Sequence, residues 1–122
     1  MAFADPQSVT VNAVAKSMPR IGSSEPARVG SFKTADGEFS LDVRQNTTAA
    51  RFRRELRLTQ KKVAADPISS VNKEVSTSIM IVVDEPRWGF TDTELLYLLS
   101  ALTTYATAST NAKLVQLLGG EL

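Results

Sequence analysis

The sequence predicts an α+β chain with an N-terminal β-hairpin, an antiparallel β-sheet and two C-terminal helices. Three observations lead to it. Apolar and polar residues alternate over Phe39 to Arg44 and again over Arg51 to Thr59, apart from Arg54, which is the period of a pleated strand with two different faces. Glu74 to Asp84, containing STSIMIVV, is β-branched and aliphatic almost throughout, as a strand prefers. From Leu95 onward leucines recur at spacings of three and four, the mark of a helix with an apolar stripe.

Taken in order, residues 7–22 read as a hairpin of two short runs, SVTVN and AKSMPRI. Pro19 lies in the second run and argues for an edge position, because proline cannot donate to a ladder. Ser23 to Pro26 (SSEP) is a connection, Ala27 to Thr34 a third strand, and Ala35-Asp36-Gly37 a turn with the Asp-Gly signal. The sheet is expected over residues 27–84. Within it Phe39, Leu41 and Val43 point one way and Ser40, Asp42 and Arg44 the other. After a turn at Asn46-Thr47-Thr48, Phe52, Leu56 and Leu58 share a face opposite Arg51, Arg53, Glu55, Arg57 and Thr59. Residues 61–73 are expected as a loop around Asp66-Pro67 and paired serines. The next strand then puts Val75, Thr77, Ile79, Ile81 and Val83 on one side and Glu74, Ser76, Ser78 and Met80 on the other.

Two helices are expected over residues 91–118. Thr91-Asp92-Thr93-Glu94 is a capping box, in which the threonine hydroxyl and the glutamate satisfy each other's backbone amides. Leu95, Leu98, Leu99, Leu102, Tyr105 and Ala106 form the stripe, and Leu96 lies off it. Ser109-Thr110-Asn111 interrupts the run, and Gly119-Gly120 ends a second helix over residues 112–118.

Composition narrows the function. The 122 residues read as a single domain, long enough for its own core, with a net charge of only +1. Yet Arg51, Arg53, Arg54, Arg57, Lys61 and Lys62 crowd into residues 51–62 beside one acid, Glu55. A basic stripe on a near-neutral chain suggests a directed polyanion site; the alternative is a solvated strand face whose arginines keep an edge soluble. There is no cysteine and no histidine, so disulfides, thiolate chemistry, an imidazole base and the usual zinc sites are excluded, and no metal or other cofactor is expected. The acids are scattered, with Asp36, Glu38 and Asp42 near a turn, Asp84 and Glu85 after a strand, and Asp92 and Glu94 at a cap. With no glycine-rich phosphate loop or nucleophile elbow either, no catalysis is expected. No transmembrane helix or signal-peptide layout is read, which fits a chain that stays where it is translated. Arginines alternating along a strand can meet successive phosphates, while small hydroxyls leave room for bases.

The segment Val43-Arg44-Gln45-Asn46, a short turn and then Phe52-Arg53-Arg54-Glu55-Leu56-Arg57-Leu58 resembles the coat proteins of single-stranded RNA bacteriophages, the levivirus type. With the order and length of the other elements, the resemblance covers nearly the whole chain. It implies a homodimer in which two chains interlock their helices over each other's sheets, joining them into one continuous sheet. Dimers would build a small icosahedral shell, with the sheets facing packaged RNA. The same inner surface would bind an RNA stem-loop at the replicase start, repressing translation. The resemblance implies an RNA face of Ser40, Asp42 and Arg44, of Arg51, Arg53, Glu55 and Arg57, and of Glu74, Ser76 and Ser78. The dimer interface would take Leu95, Leu98, Leu99, Leu102 and Tyr105, and Lys61 to Asn72 would gather around the symmetry axes. Localisation would be the virion, assembled in the bacterial host cytoplasm, with no membrane partner. Glu55 and Asp42 depart from the pattern by putting acids on the RNA face. Without cysteine, covalent stapling of the shell is excluded. Arg54 faces the other side by parity, as an ion-pair or edge residue. The other reading of the chain is a small dimeric α+β RNA-binding regulator that forms no shell.

Overall fold

The alternating segments fold as antiparallel strands that hide their apolar side under the N-terminal hairpin. The structure, a computed structural model, describes residues 3–24 and 29–122. Strands β1 (Gln7–Val11) and β2 (Val14–Met18) pair in a two-stranded sheet. Strands β3 (Arg20–Ser24), β4 (Val29–Lys33), β5 (Phe39–Thr47), β6 (Arg51–Ala65) and β7 (Asn72–Pro86) follow one another in a second sheet of five. Helix α1 spans Asp92–Leu118. The chain divides into two compact units, residues 1–85 and 86–122.

The β1–β2 turn is made by Asn12 and Ala13, both with positive φ, the geometry of a tight turn whose twist suits its strands. AKSMPRI is not one strand. It splits at Pro19, which has no amide to donate; β2 ends before it, and β3 begins after it in the larger sheet. The Pro19 carbonyl accepts from the Lys33 amide at 3.1 Å, joining the two sheets. Ser23 and Ser24 belong to β3 rather than to a connection. The remainder of that connection and the first two residues expected of the third strand, Ala27 and Arg28, lie outside the described residues.

The core is Met18, Phe32, Phe39 and Leu41, with Val9, Val11, Val43, Leu56 and Leu58 packed around it. Phe32 stands opposite Leu41, Leu41 opposite Leu58, and Val43 opposite Leu56, so one face carries this apolar set. Each fully buried large side chain contributes roughly 1.5–3 kcal/mol. The hairpin covers the β4–β5 end of that face, while Val75, Ile79 and Ile81 of β7 stay exposed.

Two connections differ from expectation. Strand β5 runs through Thr47, because Thr48 closes the turn to Arg51: its amide donates to the Arg51 carbonyl at 2.8 Å, and its hydroxyl accepts from the Arg51 amide at 3.0 Å. The loop expected over 61–73 shrinks to 66–71, and Lys61, Lys62 and Val63 continue β6. Asp66 sets that limit. Its amide donates to the Val71 carbonyl at 3.0 Å, and its carboxylate accepts from the Ile68 amide at 2.8 Å and the Ser69 amide at 3.4 Å. Strand β5 pairs with β6 as far as Gln60 and the Lys61 amide donates to the Glu38 carbonyl at 2.8 Å; beyond that point the neighbouring strands β6 and β7 run on as a ribbon to the turn at 66–71.

In the second unit the capping box forms. Thr91 Oγ1 accepts from the Glu94 amide at 3.3 Å, and the Thr91 amide donates to Glu94 Oε2 at 3.2 Å. The sequence divides this region into two helices; the structure carries it as one run whose helical dihedrals fail from Ala108 to Asn111. Ser109, Thr110 and Asn111 take positive φ, a conformation that costs residues other than glycine. The Thr103 and Thr107 hydroxyls donate back to carbonyls four residues earlier, at 2.9 and 2.8 Å, just before the break. Helix α1 buries none of its residues. Among the described residues no helix is long and apolar enough to cross a membrane.

Candidate nucleic-acid interface

The register of β4, β5 and β6 fixes a second, polar face. Ser31 stands opposite Asp42, Asp42 opposite Arg57, Arg44 opposite Glu55, Asn46 opposite Arg53, and Ser40 opposite Thr59. Ser40, Asp42, Arg44, Arg53, Glu55 and Arg57 therefore share one surface, and Arg51 joins them by alternation. Strand β7 adds its even-numbered residues. Arg51 Nε reaches Asp84 Oδ1 at 2.8 Å, and Arg57 lies 4.0 Å from the Met80 sulfur. Glu74, Ser76 and Ser78 share the parity of Met80 and Asp84 along β7, and all three are exposed. Of the ten residues expected on the RNA face, the strand register puts Ser40, Asp42, Arg44, Arg53, Glu55 and Arg57 on one side of the sheet, and Arg51, Glu74, Ser76 and Ser78 have the matching parity on their strands.

Their charges are not equally free. Arg57 and Glu55 form a 2.9 Å ion pair along β6. It runs from Arg57 Nη2 to Glu55 Oε1, and among the described residues the buried Glu55 Oε1 and Arg57 Nε have no hydrogen-bond partner. Asp42, opposite Arg57, instead accepts from the Ser31 hydroxyl at 2.8 Å. The Arg51–Asp84 pair is about half exposed on both sides and holds weakly. Arg44 and Arg53 are exposed, with no ion pair among the described residues. Sequence reasoning missed Ser31, Asn46 and Asp84 as members of this face. Asp84 was legible, since it continues the alternation of Glu74, Ser76 and Ser78.

Arg54 lies on the opposite face. It reaches Glu85 at 2.7 Å and sits over the Phe52 ring at 5.8 Å.

Of the residues expected in a dimer interface, Leu98, Leu102 and Tyr105 are exposed and Leu95 and Leu99 half-buried. Lys113 sits over the Tyr105 ring at 5.4 Å. Among the described residues no cluster of three acids could hold a metal ion.

No family model matches the chain, and no curated protein matches it. Solved structures do. The chain resembles the virus-like particle of bacteriophage AVE019 with a TM-score of 0.75 and 12% identity, over 93% of this chain and 94% of that one. It resembles the virus-like particle of Beihai levi-like virus 21 with a TM-score of 0.71 and 14% identity, over 94% of each. An unassembled bacteriophage coat-protein dimer, described as RNA-binding, matches with a TM-score of 0.53 and 12% identity, over 97% of this chain and 95% of that one. The likeness at such identities is one of fold, and the fold of this chain is that of the RNA-phage coat proteins.

Proposed function

We propose that the chain is the coat protein of a single-stranded RNA bacteriophage, a structural protein without catalytic activity. It dimerises, assembles into a small icosahedral shell and packages RNA. The observation that carries this reading is a coat-protein fold whose sheet has two unlike faces, one basic and one apolar. The basic face suits a phosphate backbone. The apolar face keeps Val75, Ile79 and Ile81 exposed, and α1 exposes Leu96, Leu98, Leu102 and Tyr105. A helix apolar on so many sides needs cover, and a second copy supplies it symmetrically. In this dimer each α1 lies over the partner's sheet, and the outer edge of β7 pairs with its counterpart. The ribbon ending at Asp66–Val71 meets its equivalents around the shell's symmetry axes. On the same basic face the dimer binds a genomic stem-loop and represses translation of the replicase.

The test is sedimentation velocity on the chain expressed alone in bacteria, before and after nuclease treatment. A shell-sized species holding nuclease-resistant RNA is the expected result. Dimers that never form a larger species, with or without added RNA, would instead identify a dimeric RNA-binding regulator.

A further inference from the structure

On the apolar side of the sheet, β6 and β7 form a window with charged residues at both ends. The even positions of β6 between Arg54 and Lys62 carry no charge, and neither do the odd positions of β7 between Lys73 and Glu85. Val75, Ile79 and Ile81 lie exposed within that window. Its two ends are built differently. At the ribbon end Lys73 pairs with Asp66 at 3.5 Å, and its side chain is 64% exposed. Such a lysine can swing its ammonium into water when an apolar surface approaches. At the other end Arg54 reaches Glu85 at 2.7 Å and lies over the Phe52 ring at 5.8 Å, with the neutral Gln45 opposite it on β5. Glu85 is the one buried charged residue among the described residues. Its carboxylate tethers the guanidinium at the margin of the window.

We propose that the Arg54–Glu85 pair determines where a second copy of this chain seats on the window. The inference rests on the dimer reading above. A leucine stripe like that of α1 gains by covering Val75, Ile79 and Ile81. That gain alone discriminates poorly between seatings displaced along the strands, since one aliphatic side chain follows another. Displacement over Arg54 is different. It strips water from a guanidinium that cannot swing clear, because Glu85 holds it. The pair thus raises the energy of displaced seatings and spares the one in which Arg54 keeps its water at the margin. Stability is a weaker reason for the pair, because apolar residues of similar size can replace such an ion pair without loss.

The chain has no cysteine, so a single introduced one reports cleanly. Where the outer edge of β7 meets its own copy, a two-fold contact sets one residue of that strand opposite itself. Only there do the two Cα atoms fall within the roughly 4.4–6.8 Å that a disulfide spans. The experiment replaces residues 75–83 of β7 with cysteine one at a time in the full chain. Each variant is oxidised with glutathione disulfide, and bridged dimers are read on a non-reducing gel. With Arg54 and Glu85 intact, bridging is expected at one position. In the double variant Arg54→Met, Glu85→Leu it is expected to spread to neighbouring positions. The bridged fraction at the first position should fall about twofold as the population divides between seatings. Glu85→Gln, which frees Arg54, is expected to spread bridging likewise and decides the matter if the double variant does not fold. Arg54→Lys keeps a tethered charge and is expected to confine bridging to the original position. Confined bridging in Glu85→Gln, spread bridging in Arg54→Lys, or several bridged positions with the pair intact each overturn the inference while leaving the dimer standing. No bridging at any position with the pair intact overturns the dimer reading itself.

Discussion

Arg54 and Glu85 meet in a 2.7 Å ion pair on the face opposite Arg53 and Arg57, and the Glu85 side chain is only 6% exposed. This pair explains why one member of the basic stripe points away from it. Glu85 is the buried partner and Arg54, at 45%, the exposed one, so the two truncations differ. Arg54→Ala strands a buried carboxylate and is expected to cost about 1–3 kcal/mol, discounted from a fully buried pair for solvent screening. Glu85→Gln leaves only an exposed guanidinium and is expected to cost less. Urea denaturation of both variants checks the order.

Phe32 is fully buried between the hairpin and the sheet, with the Arg20 guanidinium 4.8 Å from its ring. Phe32→Ala is expected to lower stability by about 3–5 kcal/mol through lost burial and the cavity left behind. Val63→Ala, at an exposed site on the ribbon, is expected to change stability far less. Thermal melts of the two variants measure the contrast.

The Asp66 carboxyl is held below its ordinary pKa, first by the Ile68 amide and then by the Ser69 amide, partly offset by desolvation. A folded-state pKa below the unfolded one adds stability that is present above the ordinary aspartate value of about 3.9 and is lost as pH falls through the lower folded value. The ribbon tip is therefore expected to loosen in acid before the sheet does. Amide exchange at Ile68 and Ser69 should rise as pH falls through that window, after correction for intrinsic rates. Asp66→Asn should remove the pH dependence.

Leu98 is exposed on α1 and is assigned to the dimer interface. Leu98→Asp is expected to abolish soluble dimers, because an unpaired charge in an apolar interface is costly. Light scattering reads the molar mass directly; a folded, soluble dimer from this variant would contradict the assignment.

Much of this architecture is written in the residues themselves. Alternation over Phe39 to Arg44 and over Arg51 to Leu58, apart from Arg54, is enough to sort the sheet's faces, because a one-residue slip would expose Phe39, Leu41 and Leu58 together. Parity likewise sends Arg54 away from Arg53. The limits of elements were less legible. Lys61 and Lys62 look like loop residues, yet a two-stranded ribbon exposes both its sides and tolerates charge. Where the ribbon stops depends on the Asp66 carboxylate capping the next amides, a local contact without periodicity. Asp42 shows the same limit at the site. Strand pairing puts it opposite Arg57, and only the side-chain geometry shows that it bonds Ser31 instead.

The most direct measurement is ultraviolet crosslinking of the RNA-bearing species formed by the unaltered chain, with adducts mapped by mass spectrometry. Adducts on the even-numbered residues of β5 and β7 and the odd-numbered residues of β6, from Ser40 to Ser78, are expected, with none on α1. Adducts concentrated on α1, or on the Val75–Ile79–Ile81 side of the sheet, would contradict the assignment of the two faces.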